Sequence, residues 1–269
     1  EEIQRFTLPI VVFGCRMRGR RVVVRLHNIR RHDYTGSTID TVDEWLTGAG
    51  LRAADAVMVH TEGNREVARI RYGLTRVHVV QHGISVVSGA DSPAAGASTF
   101  LFFGEIRANK GVDVLVQGYA KYAGESALVI AGRAEHSVRR VIDDAVDRDH
   151  RIKWIDGFVD TERVPELFAR AHAVVLPYTD FEAQSGVLHM AIEHGVPVIV
   201  SDVGGLGETV RALGIGIVVP PRDPVALADA FTAMEEPELN HEFRRAVVAA
   251  QQSLEWRTIG PALSSILRG

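Results

Sequence analysis

Gln184-Ser185-Gly186 closes a polar loop and opens a helix, directly after the apolar run Ala173–Tyr178. The first N–H groups of a helix have no intrahelical acceptor, and the helix dipole favours an anion beside them. The chemistry that suits this spacing is phosphate binding. In the same loop the Glu182 carboxylate can accept hydrogen bonds from sugar hydroxyls, while Gln184 and Ser185 offer side-chain and backbone donors to phosphate oxygens. A second cluster, Gly104-Glu105-Ile106-Arg107-Ala108-Asn109-Lys110-Gly111, follows the apolar run Thr99–Phe103. Glycine lets the backbone approach closely, and Arg107 and Lys110 neutralise charge, so this turn suits a diphosphate. Each cluster alone also describes an ordinary surface turn. Their shared position, at the carboxyl ends of buried strands, favours the ligand reading, because open α/β sheets bind there.

Histidines form a third group. His27-Asn28 ends the apolar run Val22–His27, where an imidazole can donate to a phosphate or to a reacting hydroxyl. His32-Asp33 is a second pair, and Gln81-His82-Gly83 lies near a prospective hinge, where a histidine is equally a turn residue. No His/Cys/Asp spacing has the form of a metal site, so no metal is expected. There is neither a Gly-x-Ser-x-Gly elbow nor a complete Walker phosphate loop.

The elements that must position these residues alternate along the chain. Candidate strands are Val22–His27, Ala56–Thr61, Val77–Gln81, Thr99–Phe103, Ala127–Ala131, Ile152–Ile155, Ala173–Tyr178, Val198–Ser201 and Ile217–Val219. They are rich in Val and Ile and mostly lack alternation, as parallel strands covered on both faces do. Between them lie amphipathic helical segments such as Val112–Tyr122, with Val112, Leu115, Val116 and Tyr119 on one side. Asp223-Pro224 reads as an N-cap followed by proline at the first helical position. The fold class is α/β, with doubly wound sheets.

Ser88–Ser98, rich in Gly, Ser, Pro and Ala, is the linker candidate. It divides the chain into residues 1–92, with three strands, and 93–253, with six strands and enough sheet for a complete domain. A three-stranded part buries little apolar surface by itself.

Composition narrows the function classes. The chain has 269 residues, 46% hydrophobic and 24% charged, with a net charge of −4 that argues against general nucleic-acid binding. Its single cysteine, Cys15, excludes an internal disulfide framework and fits a reducing compartment, so a cytoplasmic location is expected. No apolar run reaches the about 18 residues that a membrane span needs. Arginines crowd between Arg16 and Arg31, just after the apolar stretch Phe6–Phe13. Such a pair of features is either a core helix followed by a solvated basic turn, which is the commoner case, or a segment that rests on an anionic membrane surface. The exposed flank of a short sheet also invites a second protomer or a partner chain.

Taken together, FGEIRANKGVDVL, VIAGRAE, IDGFVDTERVPELFARAHAVVLPY, FEAQSGVLHMAIEHGVPVIVSDVGGLGE and GIGIVVPPRDPVALADAF resemble the retaining family-4 glycosyltransferases of the GT-B fold. The resemblance is densest from Phe102 to Val219, and it extends to VVVRLHNIRRHD, AADAVMVHTEGNREV and VHVVQHGI as the second half of an acceptor-side domain. SLEWRTIGPALSSIL resembles the helix that crosses back to that domain, so residues 254–269 are expected to pack on it.

The resemblance implies transfer of a sugar from a nucleotide-sugar to a glycan or lipid-linked acceptor, with retention and without a metal cofactor. It implies that Lys110 contacts the donor diphosphate and that Glu182 contacts the donor sugar's hydroxyls. Gly186 and Val187 would be the backbone donors at the helix start, and the Phe158-Val159 backbone would read the base. Gly104, Gly132 and Tyr178 fall among the donor-binding positions, and His27 falls near the reaction centre.

This sequence departs from the family pattern in three places. Glu105 stands where an arginine is usual, and Arg107 is expected to supply the charge instead. Met190 replaces the second acid of the paired-glutamate motif and, on an apolar helix, is expected to face the core. The strands and glycine-rich loop that usually begin the acceptor domain are not in this sequence. The reading is a retaining glycosyltransferase for a cell-surface polysaccharide or glycolipid, acting in the cytoplasm or at the inner face of the membrane. The competing reading is a non-catalytic nucleotide-sugar-binding subunit completed by a partner chain; a third, a sugar-nucleotide epimerase, lacks a second acid–base pair.

Overall fold

A computed structural model describes residues 2–26, 38–86, 99–180 and 185–269, and within these the side chains of residues from Thr7 onward. The chain divides into two units, one holding the described parts of 1–83 together with Trp256–Gly269, the other Ile84–Phe181 and Ser185–Glu255.

The first unit contains α1 (Glu2–Met17), β1 (Val23–Arg25), α2 (Thr38–Ala53), β2 (Ala56–Val59), α3 (Glu62–Tyr72) and β3 (Val77–Val79). Its three strands are parallel in the order β1-β2-β3, with Val24 opposite Val57 and Val57 opposite Val77. Leu51, Val57, Val59, Ala68 and Leu74 form its core. Gly50 of α2 lies against Leu8 and Pro9 of α1. The expectation of a core helix in the Phe6–Phe13 stretch is only partly met. Val12 is buried, but Ile10, Val11, Phe13 and Met17 face outward; α2 is the element that α1 packs on most closely among the described residues. The beginning of the arginine cluster follows this face; Arg30 and Arg31 lie outside the described residues.

The second unit contains β4 (Thr99–Phe103), α4 (Val112–Tyr119), β5 (Ala127–Gly132), α5 (His136–Arg148), β6 (Ile152–Asp156), α6 (Val164–Ala169), β7 (Ala171–Leu176), α7 (Gly186–Glu193), β8 (Val198–Ser201), α8 (Gly204–Leu213), β9 (Gly216–Val219), α9 (Pro224–Met234) and α10 (Pro237–Leu254). The six strands are all parallel, in the order β6-β5-β4-β7-β8-β9. That order makes β4 and β7 neighbours at the point where the winding reverses, which is where doubly wound sheets bind ligands. The core lies between β4, α4 and α9. The Phe100 and Phe231 rings pack at a tilt of 51° with centroids 4.6 Å apart, and Leu115, Tyr119, Leu128 and Ile130 are fully buried around them. Asp223 caps α9, as its Asp-Pro sequence predicts, by accepting from the Val225 and Ala226 N–H groups at 3.0 Å.

The strands are shorter than expected at several ends, since Thr61, Gln81 and Tyr178 belong to the following turns. Turn residues after a parallel strand lose their ladder partner when the neighbouring strand stops first. The last helix, α11 (Trp256–Arg268), groups with the first unit. There Trp256 packs its ring flat against Gly83, and Arg21 donates to the Ile266 carbonyl at 3.1 Å. The linker Ser88–Ser98 lies outside the described residues.

Candidate active site at the winding reversal of the six-stranded sheet

The loops after β4 and β7 are tied to each other by their backbones. Gly111 is left-handed at φ 68°, and a Cβ there would stand 1.9 Å from the Pro177 carbonyl oxygen. The Thr179 N–H donates to the Asn109 carbonyl at 3.0 Å. Only glycine fits both the dihedral and the approach. This clasp sets Lys110, the residue between Asn109 and Gly111, beside Tyr178, the residue between Pro177 and Thr179. The Lys110 ammonium lies 3.9 Å from the centroid of the Tyr178 ring. Burial is the main reason that its pKa falls to about 8, and the Arg107 guanidinium adds to the effect.

Tyr178 connects onward to the helix start. Its hydroxyl is 3.4 Å from Ser185 Oγ, which caps α7 by accepting from the Leu188 N–H at 3.3 Å. With Leu188 served, helix geometry leaves the Gly186 and Val187 N–H groups without an intrahelical acceptor. His189 Nδ1–H donates to the Ser185 carbonyl at 2.8 Å and fixes the cap from behind. Gly186 is exposed, and among the described residues nothing lies within 4 Å of where its Cβ would be. Among the described residues, nothing covers the helix start at Gly186.

The third strand end joins on the other side. Gly132 ends β5 at φ 148°, with a would-be Cβ only 1.8 Å from the Gly104 carbonyl oxygen. The Gly104 N–H donates to the Ala131 carbonyl at 2.9 Å, and Val187 Cγ2 lies 3.3 Å from a Cβ built on Gly104. Gly132, Gly104, Val187, Ser185, Tyr178 and Lys110 thus form one connected set. Phe158 and Val159 follow β6, whose Asp156 pairs with Gly132. Val159 is buried and Phe158 is 87% exposed, an aromatic face presented to solvent.

Arg107 has a different setting from the one expected. Pairing continues past the strands through Ile106 and Ala134, so the turns after β4 and β5 run side by side. Arg107 bonds Glu105 at 2.8 Å and reaches Glu135 at 3.5 Å, while Arg133 lies 3.6 Å from Glu105. The Arg107 hydrogen bond holds the Glu105 carboxyl below its ordinary value. The charge of Arg107 is shared with two carboxylates rather than standing alone. The sequence reading did not single out Arg133 and Glu135; the repeated strand-then-turn pattern after β5 is the signal that points to them. Met190 is half-buried, whereas Leu188, His189, Ala191 and Ile192 are buried, so the expectation that Met190 faces the core is not met. Its position in the helical period puts it at the edge of the apolar stripe.

His27, Asn28, His32, Asp33, Glu182 and Gln184 lie outside the described residues. In the first unit, His60 follows β2 and His82 follows β3, with ring centroids 5.8 Å apart, and His82 lies 6.3 Å from Trp256. Among the described residues no group of three or more His, Cys, Asp or Glu side chains is placed to hold a metal ion. Among them, too, no helix is long and apolar enough to cross a membrane.

Known proteins resemble this chain. The chain is 28% identical over 243 residues to a glycogen synthase of Mycobacterium tuberculosis, covering 85% of this chain and 56% of that one. It is 28% identical over 281 residues to an alpha-D-kanosaminyltransferase of Streptomyces kanamyceticus, covering 94% of this chain and 72% of the relative. The chain thus spans little more than half the length of the glycogen synthase. Among solved structures, Anabaena HepE in complex with UDP superposes with a TM-score of 0.82 at 17% identity, over 98% of this chain and 76% of HepE. That likeness establishes the GT-B fold class, with two Rossmann-like sheets, of three and six strands among the described residues. The family described as glycosyl transferases group 1 matches residues 97–236, the stretch that carries the site, and the chain belongs to that family.

Proposed function

We propose that this protein transfers a sugar, with retention of configuration, from a nucleotide-sugar to a glycan or lipid-linked acceptor. The observation that carries this reading is the convergence of the Lys110 ammonium and the open N-terminus of α7, linked through Tyr178, at the sheet's winding reversal. A cation and a helix start together suit a leaving diphosphate, whose charge grows as the bond to the sugar breaks. These groups need no metal to do so. A glycogen synthase, an alpha-D-kanosaminyltransferase and HepE in complex with UDP are among the similar proteins, and they support this reading. In this reading Gly186, Val187 and Gln184 donate to phosphate, the Phe158-Val159 backbone reads the base, and Glu182 accepts from the donor sugar's hydroxyls. The acceptor attacks the sugar on the face from which the diphosphate departs, and His27 is assigned to the acceptor side of the reaction. The outward face of α1, followed by Arg16, Arg18, Arg20 and Arg21, would rest on an anionic membrane surface at the cytoplasmic side, close to a lipid-linked acceptor.

A second reading is a nucleotide-sugar-binding subunit completed by a partner chain. Two observations favour it: Arg107 is engaged by Glu105 and Glu135, and Met190 stands in place of an acid. Hydrolysis of UDP-glucose and GDP-mannose by the purified chain, followed by anomer-resolved product analysis with a glycan acceptor, separates the two. Transfer with inverted configuration overturns the first reading; binding without hydrolysis or transfer supports the second.

A further inference from the structure

We infer that Tyr178 is a positioning residue for the donor, its ring face holding the Lys110 ammonium charged and aimed at the diphosphate. The inference rests on the donor-site reading above. Tyr178 is 2% exposed and sits beyond the end of β7, outside the strand ladder. At 3.9 Å from the ring centroid, the ammonium is well inside the distance of about 6 Å at which a cation is drawn to an aromatic face. The contact is not a chance rotamer of a long side chain. The residues on either side of Lys110 are bound to the residues on either side of Tyr178, through Asn109 with Thr179 and through the close approach of Gly111 to Pro177. The same ring ends in a hydroxyl beside the Ser185 cap, so one side chain spans the distance between the cation and the helix start.

The ring has a task because the position is hard on a cation. Burial and the Arg107 charge both disfavour the ammonium, whose pKa is about 8, while Glu105 favours it. Arg107 and Glu105 are on the turn of Lys110; Tyr178 faces it from the β7 side, and its phenol is pushed up to about 12 by burial. The π-face is an attraction that the β7 side supplies. A ring that merely fills space would be replaceable by any side chain of similar size.

The sequence makes a direct measurement practicable, because its lysines are only Lys110, Lys121 and Lys153. Lys121 and Lys153 are exposed and serve as internal references. Protein with isotopically labelled lysine is titrated by NMR, with and without UDP, as wild type, Tyr178→Phe and Tyr178→Leu. The expected result is a Lys110 ε-methylene signal displaced upfield by the ring in wild type and Tyr178→Phe, titrating near pH 8 in both. In Tyr178→Leu the displacement vanishes and the midpoint falls by roughly half to one and a half pH units, the scale of a partly desolvated cation–π contact. UDP affinity then drops about tenfold at pH 8 in Tyr178→Leu and stays within about threefold of wild type in Tyr178→Phe. Three coincident lysine signals in wild type overturn the inference, as does an unchanged midpoint in Tyr178→Leu. Should the leucine variant fail to fold, the displaced wild-type signal and its retention in Tyr178→Phe decide. A displaced Lys110 signal that does not respond to UDP overturns the donor-site reading instead, and with it the role assigned to Tyr178.

Discussion

Lys110 holds its charge between opposing influences, and that balance has consequences that can be measured. Diphosphate binding needs the ammonium, so UDP affinity is expected to fall as pH rises through about 8, by no more than tenfold per pH unit for one proton. Lys110→Arg keeps the charge at all these pH values and should flatten that limb in calorimetry; a limb that persists assigns it to another group. Stability runs the other way. An amine whose folded value is about 8 rather than 10.5 binds its proton more weakly when folded, so this group makes the fold more stable as pH rises between those values. Lys110→Ala should weaken UDP binding by roughly 1.5–3 kcal/mol, the scale of a charge-assisted hydrogen bond. Unchanged affinity in a folded mutant would remove Lys110 from the site. Glu105 makes a contrasting case. It engages both Arg107 and Arg133 on an exposed surface, so Glu105→Gln should tighten UDP binding by less than about 1 kcal/mol, and less again in high salt. Weaker binding in that variant would show that the carboxylate helps to present Arg107 rather than competing for it. At this scale Lys110, Ser185 and Gly186 were legible as types in a spacing. The pairing of Arg107 with Glu135 was not, because it depends on two turns lying side by side.

At the scale of elements, the site depends on a clasp between two turns. Gly111→Ala meets both a left-handed dihedral and a carbonyl oxygen 1.9 Å from its new Cβ. The dihedral alone costs about 1–2 kcal/mol. Gly214 has nearly the same dihedral, at φ 64°, with nothing closer to its Cβ than Ala246 at 4.0 Å, and so Gly214→Ala isolates that part. Denaturant unfolding should place Gly111→Ala below Gly214→Ala by more than about 1 kcal/mol. Equal losses would mean that the turns separate easily and do not hold Lys110 against Tyr178. The outward face of α1 makes a second prediction. Ile10, Phe13 and Met17 are 71%, 51% and 87% exposed, and Trp45 of α2 is 66% exposed. If this face rests on membrane, the protein sediments with vesicles containing anionic lipid, and Phe13→Asp with Met17→Asp abolishes the binding. A monodisperse monomer that ignores vesicles would sink the idea.

For the molecule as a whole, the proposed ligand should stabilise the six-stranded unit that binds it. UDP at about 100 times its dissociation constant adds roughly 2.7 kcal/mol, which a thermal melt resolves readily. The gain should appear in the transition of the six-stranded unit when the two units melt separately. A screen in which no nucleoside diphosphate raises either transition would remove the donor-site reading. The six-stranded unit has a complete core around Phe100, Tyr119 and Phe231, whereas the three-stranded unit has a small one around Leu51, Val57 and Val59. The lower of two transitions is therefore expected to belong to the three-stranded unit.

Taken alone, the sequence determined the α/β alternation, the six strands of the larger sheet and the turns that carry the candidate site. Those features are local: an apolar run of a given length, a cap, a glycine at a bend. The same locality explains why strand ends were overextended at Thr61, Gln81 and Tyr178, since a strand stops where its neighbour stops and not where its own residues cease to be apolar. The tertiary structure decided what the turns do to one another. It brought β7 beside β4 across nearly seventy residues of chain, set the Tyr178 ring under the Lys110 ammonium, and gave Arg107 two carboxylates. It also turned Met190 to the edge of its helix and, among the described residues, left Ile10, Phe13 and Met17 of α1 exposed. The physical reason is that charge, burial and ring contact are properties of pairs. A residue's type says what it can offer, and only the packing of distant segments says what stands 3 or 4 Å away to receive it.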